Sequence, residues 1–332
     1  MTKTKPKAND LEDRSRMFYT GQEVADTILP EVGFYWGGLI PKQGTVMIHG
    51  KFGTYKTPLT ATLAKSLASG TELWDHQAEQ VKVLYIEADT PKPGIWPRLH
   101  KLKPGVDGLD FFFCYPGFDI VNPNVDPYNK ALLQELAHVY TEHQYGVVFV
   151  DSLRTVHNLP EKENESPSRV YRAAAHLFPG ATVVFVHHDR KSSPDWRSNS
   201  LASEDPDLER ETFSGAQAWM NLATTAAKVQ RESSVNTEYV RLIQTKSQVG
   251  EIMLPINLRV DEGIHLSLLA NITLYTVNDA LRRLTNGTMD TRKTFKSDRQ
   301  MDLALSKEFG CSKGWMLKRR RRLQEEHNVK FR

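Results

Sequence analysis

The stretch that decides the fold runs Gly44-Thr45-Val46-Met47-Ile48-His49-Gly50-Lys51-Phe52-Gly53-Thr54-Tyr55-Lys56-Thr57. It opens as an apolar, β-branched run, passes through a glycine-bearing loop and ends in Lys-Thr. Pro58-Leu59-Thr60-Ala61-Thr62-Leu63-Ala64-Lys65-Ser66-Leu67-Ala68 follows with helical spacing. Strand, loop and helix in that order is the context that a phosphate-binding loop, G-x-x-x-x-G-K-[ST], requires. Gly50, Gly53, Thr54, Tyr55, Lys56, Thr57 and Pro58 make up the candidate nucleotide-binding loop. In such a loop backbone N–H groups face the phosphates, the helix N-terminus adds partial positive charge, and the lysine reaches the β/γ oxygens. The Thr57 hydroxyl is the expected Mg²⁺ ligand. The match is incomplete, because Tyr55 stands where the second glycine belongs. An ordinary strand-turn-helix competes with this reading until the downstream elements are counted.

Those elements come in order. Val81-Lys82-Val83-Leu84-Tyr85-Ile86 reads as a strand ending in Glu87-Ala88-Asp89. Carboxylates at the carboxyl end of a strand beside a phosphate loop lie where open α/β sheets bind ligands. Glu87 and Asp89 are both candidates to polarise an attacking water. Residues 94–103 read as helical, Phe111-Phe112-Phe113 as the start of a short strand, and Ala131 to His143 as an amphipathic helix. Gly146-Val147-Val148-Phe149-Val150-Asp151-Ser152 is a strand apolar on both faces, ending in an aspartate suited to hold Mg²⁺. Arg154 to Ser168 reads as a polar loop. Ala181-Thr182-Val183-Val184-Phe185-Val186 is the next buried strand, ending in His187-His188-Asp189-Arg190-Lys191. Two readings meet there: a zinc site, which lacks further ligands at the right spacing, and a γ-phosphate sensor at His187.

Residues 191–212 form a long polar stretch in which Lys191, Trp196 and Arg197 offer charge and a stacking surface of the kind single strands use. Residues 214–228 read as helical. Strands are expected at Tyr239–Gln244, Ile252–Leu258 and Ile264–Leu269, the last two as an antiparallel pair across Val260-Asp261-Glu262-Gly263.

Composition bounds the rest. The chain has 332 residues, 39% hydrophobic and 25% charged, enough for a large core and a smaller module. It has no apolar run long enough to span a bilayer. Met1 to Asp13 lacks an apolar signal region and reads as a disordered arm. Cys114 and Cys311 stand far apart, which fits a reduced, cytoplasmic protein. Residues 271–332 carry 15 Lys+Arg against 7 Asp+Glu, a net of +8 against +3 for the whole chain, so the body is acidic and the C-terminal segment basic. Within that segment Asp302 to Gly310 and Cys311 to Leu323 read as helix, turn and helix, with Ser312 as a cap. Lys313, Lys318, Arg319, Arg320, Arg321 and Arg322 would meet backbone phosphate. A protein-docking bundle with a solvated arginine run is the rival reading.

Taken together, GKFGTYKTPLTATLAKSLASG, VLYIEADTP, VVFVDSL and VVFVHHDRK, in this order, resemble the RecA-like ATPases of the RepA type, plasmid and phage replication ATPases related to hexameric helicases. The resemblance covers roughly residues 35–269. It implies a RecA-like, mostly parallel α/β sheet flanked by helices, with ATP and Mg²⁺ as cofactors. An aromatic before the loop lysine is a variant of that group, which accommodates Tyr55. Asp89 falls on the group's catalytic glutamate position, and His187-His188 on its sensor. Lys246 matches a residue that reaches the neighbouring subunit's nucleotide, while Gln248 replaces the arginine expected beside it. The expected organisation is an arm over 1–20, an ATPase domain over 21–270 and a basic helix-turn-helix-like (or winged-helix) module over 271–332. The expected function is an oligomeric, DNA-dependent ATPase of mobile-element replication, a hexameric helicase acting on single-stranded DNA with duplex contacts through the C-terminal module. Two alternatives are an ATP-gated initiator or loader without motor activity and a recombinase-like filament protein.

Overall fold

A computed structural model describes residues 20–26, 32–160, 163–189, 218–231, 239–261, 264–269 and 274–309, with Met316, Leu317, Arg320, Arg321, Leu323 and Gln324. Two compact units divide the chain, Met1–Gly33 and Phe34–Arg332. In the first, α1 (Gly21–Asp26) starts on a reciprocal cap: Glu23 N–H donates to Thr20 Oγ1 at 3.2 Å, and Thr20 N–H donates to Glu23 Oε2 at 2.8 Å.

The second unit is built on a nine-stranded sheet. Its elements, in chain order, are β1 (Phe34–Trp36), β2 (Ile40–Pro41), β3 (Gly44–Gly50), α2 (Lys56–Ser69), β4 (Val83–Glu87), α3 (Lys92–Leu102), β5 (Leu109–Phe113), α4 (Pro127–His143), β6 (Val147–Asp151), α5 (Glu165–Leu177), β7 (Thr182–His188), α6 (Ala218–Leu222), β8 (Thr225–Arg231), β9 (Tyr239–Ser247), β10 (Ile256–Asp261), β11 (His265–Leu268), α7 (Leu274–Leu284), α8 (Thr291–Thr294) and α9 (Asp298–Glu308). The strand order is β11-β10-β9-β8-β3-β7-β6-β4-β5. From β8 to β5 every pairing is parallel, and β9, β10 and β11 extend the sheet antiparallel. This is the RecA-like architecture.

The central strands are apolar on both faces because both faces are covered. Val46 and Ile48 of β3, Val83 and Tyr85 of β4, and Val147 and Phe149 of β6 pack with Leu59, Leu63 and Leu67 of α2 and Ile95 and Leu99 of α3. Their alternating neighbours Met47, Leu84, Ile86, Val148 and Val150 point the other way, onto Leu133 and Leu136 of α4 and Val170 and Ala174 of α5. The period-two switch between two cores fixes the register, since a one-residue slip would reverse every side chain.

Three sequence expectations are corrected. Residues 225–231 are a strand, not the end of a helix: Ala227 and Val229 enter one core and Ala226 the other, a strand alternation that overrides the alanines' helix propensity. The β8–β9 ladder has a register shift between Ala226 and Ala227. The polar stretch 154–168 gives way to α5 at Glu165, where an amphipathic face sits under polar residues. The strand expected from Ile252 begins at Ile256, because Ile252 and Leu254 are exposed and Pro255 cannot donate to a ladder. The hairpin β10–β11 pairs Leu258 with Leu268 and Asp261 with His265, antiparallel as read from the sequence.

A third cluster gathers Val277, Ala280 and Leu281 of α7, Phe295 just after α8, Met301 and Leu305 of α9, and Met316 and Leu323 of a further helical stretch. Ser297 caps α9 by accepting from Gln300 N–H at 3.2 Å. The turn expected at Gly310 and the cap at Ser312 lie outside the described residues.

Candidate functional site

Parallel strands deliver their carboxyl ends to one rim. Along it, β3 ends at Gly50, β7 at His188, β6 at Asp151 and β4 at Glu87, in neighbouring positions of the sheet. Glu87 and Asp151 stand in direct register, as do His49 and His187.

The loop from Gly50 turns into α2 at Lys56. Tyr55 occupies the N-cap position with φ 65° and ψ 29°, in the left-handed region, and its side chain makes no cap. A glycine adopts that conformation freely, whereas a residue with a Cβ gives up about 1–2 kcal/mol. The missing second glycine is therefore a substitution at one of two loop positions whose backbone calls for glycine, the other, at φ 74°, being kept as Gly53. The Arg231 guanidinium lies over the Tyr55 ring, 4.9 Å from its centroid, and offsets part of that cost. The first-turn N–H groups of α2, lacking a side-chain cap, are available to an anion. Lys56 is buried, and its Nζ donates to the carbonyls of Gly50 and Lys51 at 2.8 and 2.9 Å. Burial draws its ammonium down to about 8, against the pull of Asp151, Asp189 and Asp89.

Thr57 Oγ1 donates to Asp151 Oδ2 at 2.6 Å. The Tyr85 hydroxyl donates to the same oxygen at 3.0 Å and lies 2.8 Å from Thr60 Oγ1. Burial raises the Asp151 carboxyl above the usual range, with these two hydroxyls pulling the other way. Glu87 is also buried. Its Oε1 accepts from the N–H groups of Asp89 and Thr90 at 3.1 and 2.8 Å, while Oε2 is enclosed with no hydrogen-bond partner. Burial first, and Asp151 second, push the Glu87 carboxyl up to about 8. Asp89 differs: it is partly exposed, accepts from Ser152 Oγ at 3.3 Å and lies 3.8 Å from His188 Nε2, and the His188 interaction holds its carboxyl below the usual range. The rim thus holds one neutral, enclosed carboxyl and one ionised, accessible carboxylate two residues apart.

A hydroxyl and a carboxylate in contact at a phosphate loop are hard oxygen donors of the kind Mg²⁺ takes together with substrate phosphates. Thr57 and Asp151 therefore fit the ion. Among the described residues no three His, Cys, Asp or Glu side chains converge on a common point, so no all-protein zinc cage is present among them.

The AAA domain family profile matches residues 13–194, more than half of the chain and all the elements just described up to His188. The chain belongs to the AAA domain family. Among solved structures the chain is similar to an ATPase domain, at 12% identity over 69% of this chain and 85% of that one with a TM-score of 0.46. It is also similar to the flagellar accessory protein FlaH from Methanocaldococcus jannaschii, at 13% identity over 68% and 89% with a TM-score of 0.41. No curated protein matches it.

Several groups at the rim of this AAA domain carry no sequence motif. His49 Nδ1 and Asp189 Oδ1 are 2.7 Å apart in the interior, and Asp189 N–H donates to Gly50 O at 3.0 Å, tying the end of β7 to the start of the loop. Burial raises Asp189, but His49, Lys228 and Lys56 outweigh it and hold the carboxyl low. His187 is buried beside this pair rather than open to the rim, while His188 is half-buried and its ring faces Phe52 at 6.0 Å. Tyr85 and Arg231 were likewise silent in the sequence. The signal for Tyr85 was a hydroxyl inside an otherwise apolar strand, and for Arg231 a cation closing the strand beside the loop.

Lys246 does not join the rim. Its partner in register is Ala226, at the start of β8 and so at the opposite end of the sheet from Gly50. Its Nζ donates to the carbonyls of Met220, Asn221 and Ala223 at 3.0, 2.6 and 2.6 Å, closing the C-terminal end of α6. Gln248 Nε2 reaches Asn221 O at 3.5 Å.

Of the expected DNA contacts, Lys191, Trp196, Arg197, Lys313, Lys318, Arg319 and Arg322 lie outside the described residues. Arg321 is exposed. Arg320 is not available to phosphate: it is buried, and its Nε and Nη2 donate to Asp302 at 2.6 and 3.3 Å while Nη1 donates to Gln324 at 2.9 Å. Of the two described arginines of that run, Arg320 turns inward and is paired there while Arg321 faces out. Among the described residues no helix is long and apolar enough to cross a membrane.

Proposed function

We propose that the chain is an oligomeric, Mg²⁺-dependent ATPase of the RepA type, driven by DNA and serving replication of a phage or plasmid as a cytoplasmic hexameric helicase. The observation that carries the proposal is the contact between Thr57 and Asp151 at the mouth of a lysine-bearing phosphate loop. In this reading Lys56, the loop N–H groups and the start of α2 hold the nucleotide phosphates. Thr57 and Asp151 hold Mg²⁺, which when bound would neutralise phosphate charge. Asp89, ionised and accessible, takes the role of orienting and deprotonating water, and His188 beside it keeps it charged. Glu87 stays neutral and braces the turn that carries Asp89. The His49–Asp189 pair ties the end of β7 to the loop, with His187 buried next to His49 in register. Lys246 acts on a neighbouring subunit. Residues 21–270 form the ATPase domain, and 271–332 a DNA-binding module contacting phosphate through Lys313, Lys318, Arg319, Arg321 and Arg322. Lys191, Trp196 and Arg197 contact a single strand.

Steady-state ATP turnover with and without single-stranded DNA, against a Lys56→Ala control, tests this reading. Turnover no greater than the control sinks it. The second reading, an ATP-gated DNA-binding protein without motor activity, is favoured by Gln248 in the arginine position and by Lys246 being engaged with its own chain. ATP binding without turnover, with footprints on duplex DNA, would select it. Ring, filament or monomer on a sizing column with an ATP analogue separates both from a filament-forming recombinase.

A further inference from the structure

We propose that Arg231 is a second cation of the nucleotide site, donating to the phosphates from within the same chain. The inference rests on the reading of residues 50–57 as a nucleotide-binding loop.

Arg231 is the last residue of β8, the strand that runs parallel to β3 on the side away from β7. The two strands are pressed together where the loop begins: a Cβ at Gly50 would collide with the Val229 carbonyl. Two residues on, Arg231 reaches over the loop. Its guanidinium covers the Tyr55 ring at 4.9 Å, and a Cβ at Gly53 would lie 3.5 Å from Nη2. That distance is ordinary van der Waals contact, so the guanidinium lies directly against the loop at Gly53. The Nε is enclosed and has no hydrogen-bond partner.

Stacking uses only the face of a guanidinium. Its five N–H donors lie in the plane, and they match phosphate oxygens in bidentate fashion. A cation lying over the ring of the residue that precedes Lys56, with its donors unspent, is therefore available to a bound phosphate chain. Nothing else in the described structure claims those donors: Arg231 forms no ion pair with a carboxylate there. The loop also has need of a second cation. Lys56 is drawn into the interior and spends donors on Gly50 and Lys51. Gln248, where the resemblance leads one to expect an arginine, carries no charge. A cation supplied in the same chain differs from a finger supplied by a neighbour in one measurable way: it acts on binding by the isolated subunit.

The alternative role for Arg231 is to hold Tyr55 in its left-handed conformation, with no contact to the nucleotide. A double-mutant cycle separates the two. Binding of a fluorescent ATP analogue with Mg²⁺ is titrated on the full-length chain and on Arg231→Gln, Tyr55→Gly and the double variant, with thermal unfolding of each in the absence of nucleotide. Tyr55→Gly removes the ring and restores the residue that the backbone prefers, so a purely supportive arginine becomes dispensable in that background. The expected result is a loss of about tenfold or more on Arg231→Gln, of the size a charge-assisted hydrogen bond gives, and a similar loss in the Tyr55→Gly background. Arg231→Lys should recover part of it. Binding within twofold of the parent in either background overturns the proposal. A full-length chain that binds no nucleotide overturns the loop reading instead. Should Arg231→Gln fail to fold, the comparison of Tyr55→Gly with Tyr55→Gly/Arg231→Lys carries the same test, and no difference between them counts against it.

Discussion

Thr57 Oγ1 and Asp151 Oδ2 lie 2.6 Å apart although 94 positions separate them in the chain. One stands in the first turn of the helix after β3 and the other ends β6, two strands away across β7, so the contact exists only because the intervening α/β units return each strand parallel to the first. Asp151→Asn keeps the shape of that contact and removes its charge. The expected outcome is that Mg²⁺ no longer strengthens nucleotide binding, with metal affinity down roughly 10–100-fold. Binding measured in EDTA should stay within about twofold. Equal losses with and without metal would mean that Asp151 serves the loop's structure and not the ion.

Tyr85 adds a second donor to the same carboxylate, and its ring stacks on Phe149 at 5.6 Å. Tyr85→Phe keeps the stack and leaves Asp151 with one donor fewer. The cost should be about 1–2 kcal/mol, read as a fall in Tm of a few degrees. A Tm unchanged within about half a degree would show that Asp151 does not draw on that hydroxyl.

The Glu87 carboxyl, held at about 8, makes the nucleotide-free protein sensitive to pH in a definite direction. Between the ordinary glutamate range near 4.5 and 8, the folded chain keeps a proton that the unfolded chain gives up. Folded protein therefore binds more protons than unfolded, and stability is greatest at the acid end of that window and falls as pH rises through 8. Glu87→Gln cannot lose a proton and should flatten this slope. Urea midpoints at pH 6 and pH 8.5 decide it: parallel declines for the two proteins would place the pH dependence elsewhere.

Arg320 and Asp302 form a buried bidentate pair. Breaking it from one side leaves a charge without its partner, at a cost of about 3–5 kcal/mol. Asp302→Ala should lower the hydrogen-exchange protection of α9, and Asp302→Ala/Arg320→Met should restore most of it. Arg321, which faces solvent, offers the contrast. Arg321→Ala should reduce the salt dependence of DNA binding by about one unit of slope without touching that protection.

How much of this was legible beforehand varies with the kind of residue. The rim was, because Gly50, Glu87, Asp151 and His187 each close a run of apolar residues, and a strand buried on both faces advertises where it stops. The Tyr55 departure was visible, but its meaning was not: a left-handed φ has no letter in the sequence. β8 was misread because Ala223 to Lys228 is rich in alanine, and only its place beside β3 makes it a strand. Glu87 and Asp89 looked interchangeable, and a difference in enclosure parts them. Arg320 looked like its neighbours in a run of four, since nothing in an arginine's own position says which face of a helix it will take.

The register shift opposite Ala226 and Ala227 leaves Thr245 as an extra residue in β9, so the elbow in this ladder belongs to β9, and β8 keeps an unbroken register with β3. At seven residues the strand is about 20 Å long. Its far end carries Arg231 over the phosphate loop, and its near end pairs with Ser247 and Lys246, whose ammonium grips the carbonyls that close α6. A regular ladder passes on a displacement as translation, whereas an irregular step lets a strand bend. Arg231 pairs with Val240 of β9, and any movement passed along β9 must cross the step at Thr245 before it reaches Lys246, so the stiffness of that step sets how strongly the two ends of the sheet feel each other.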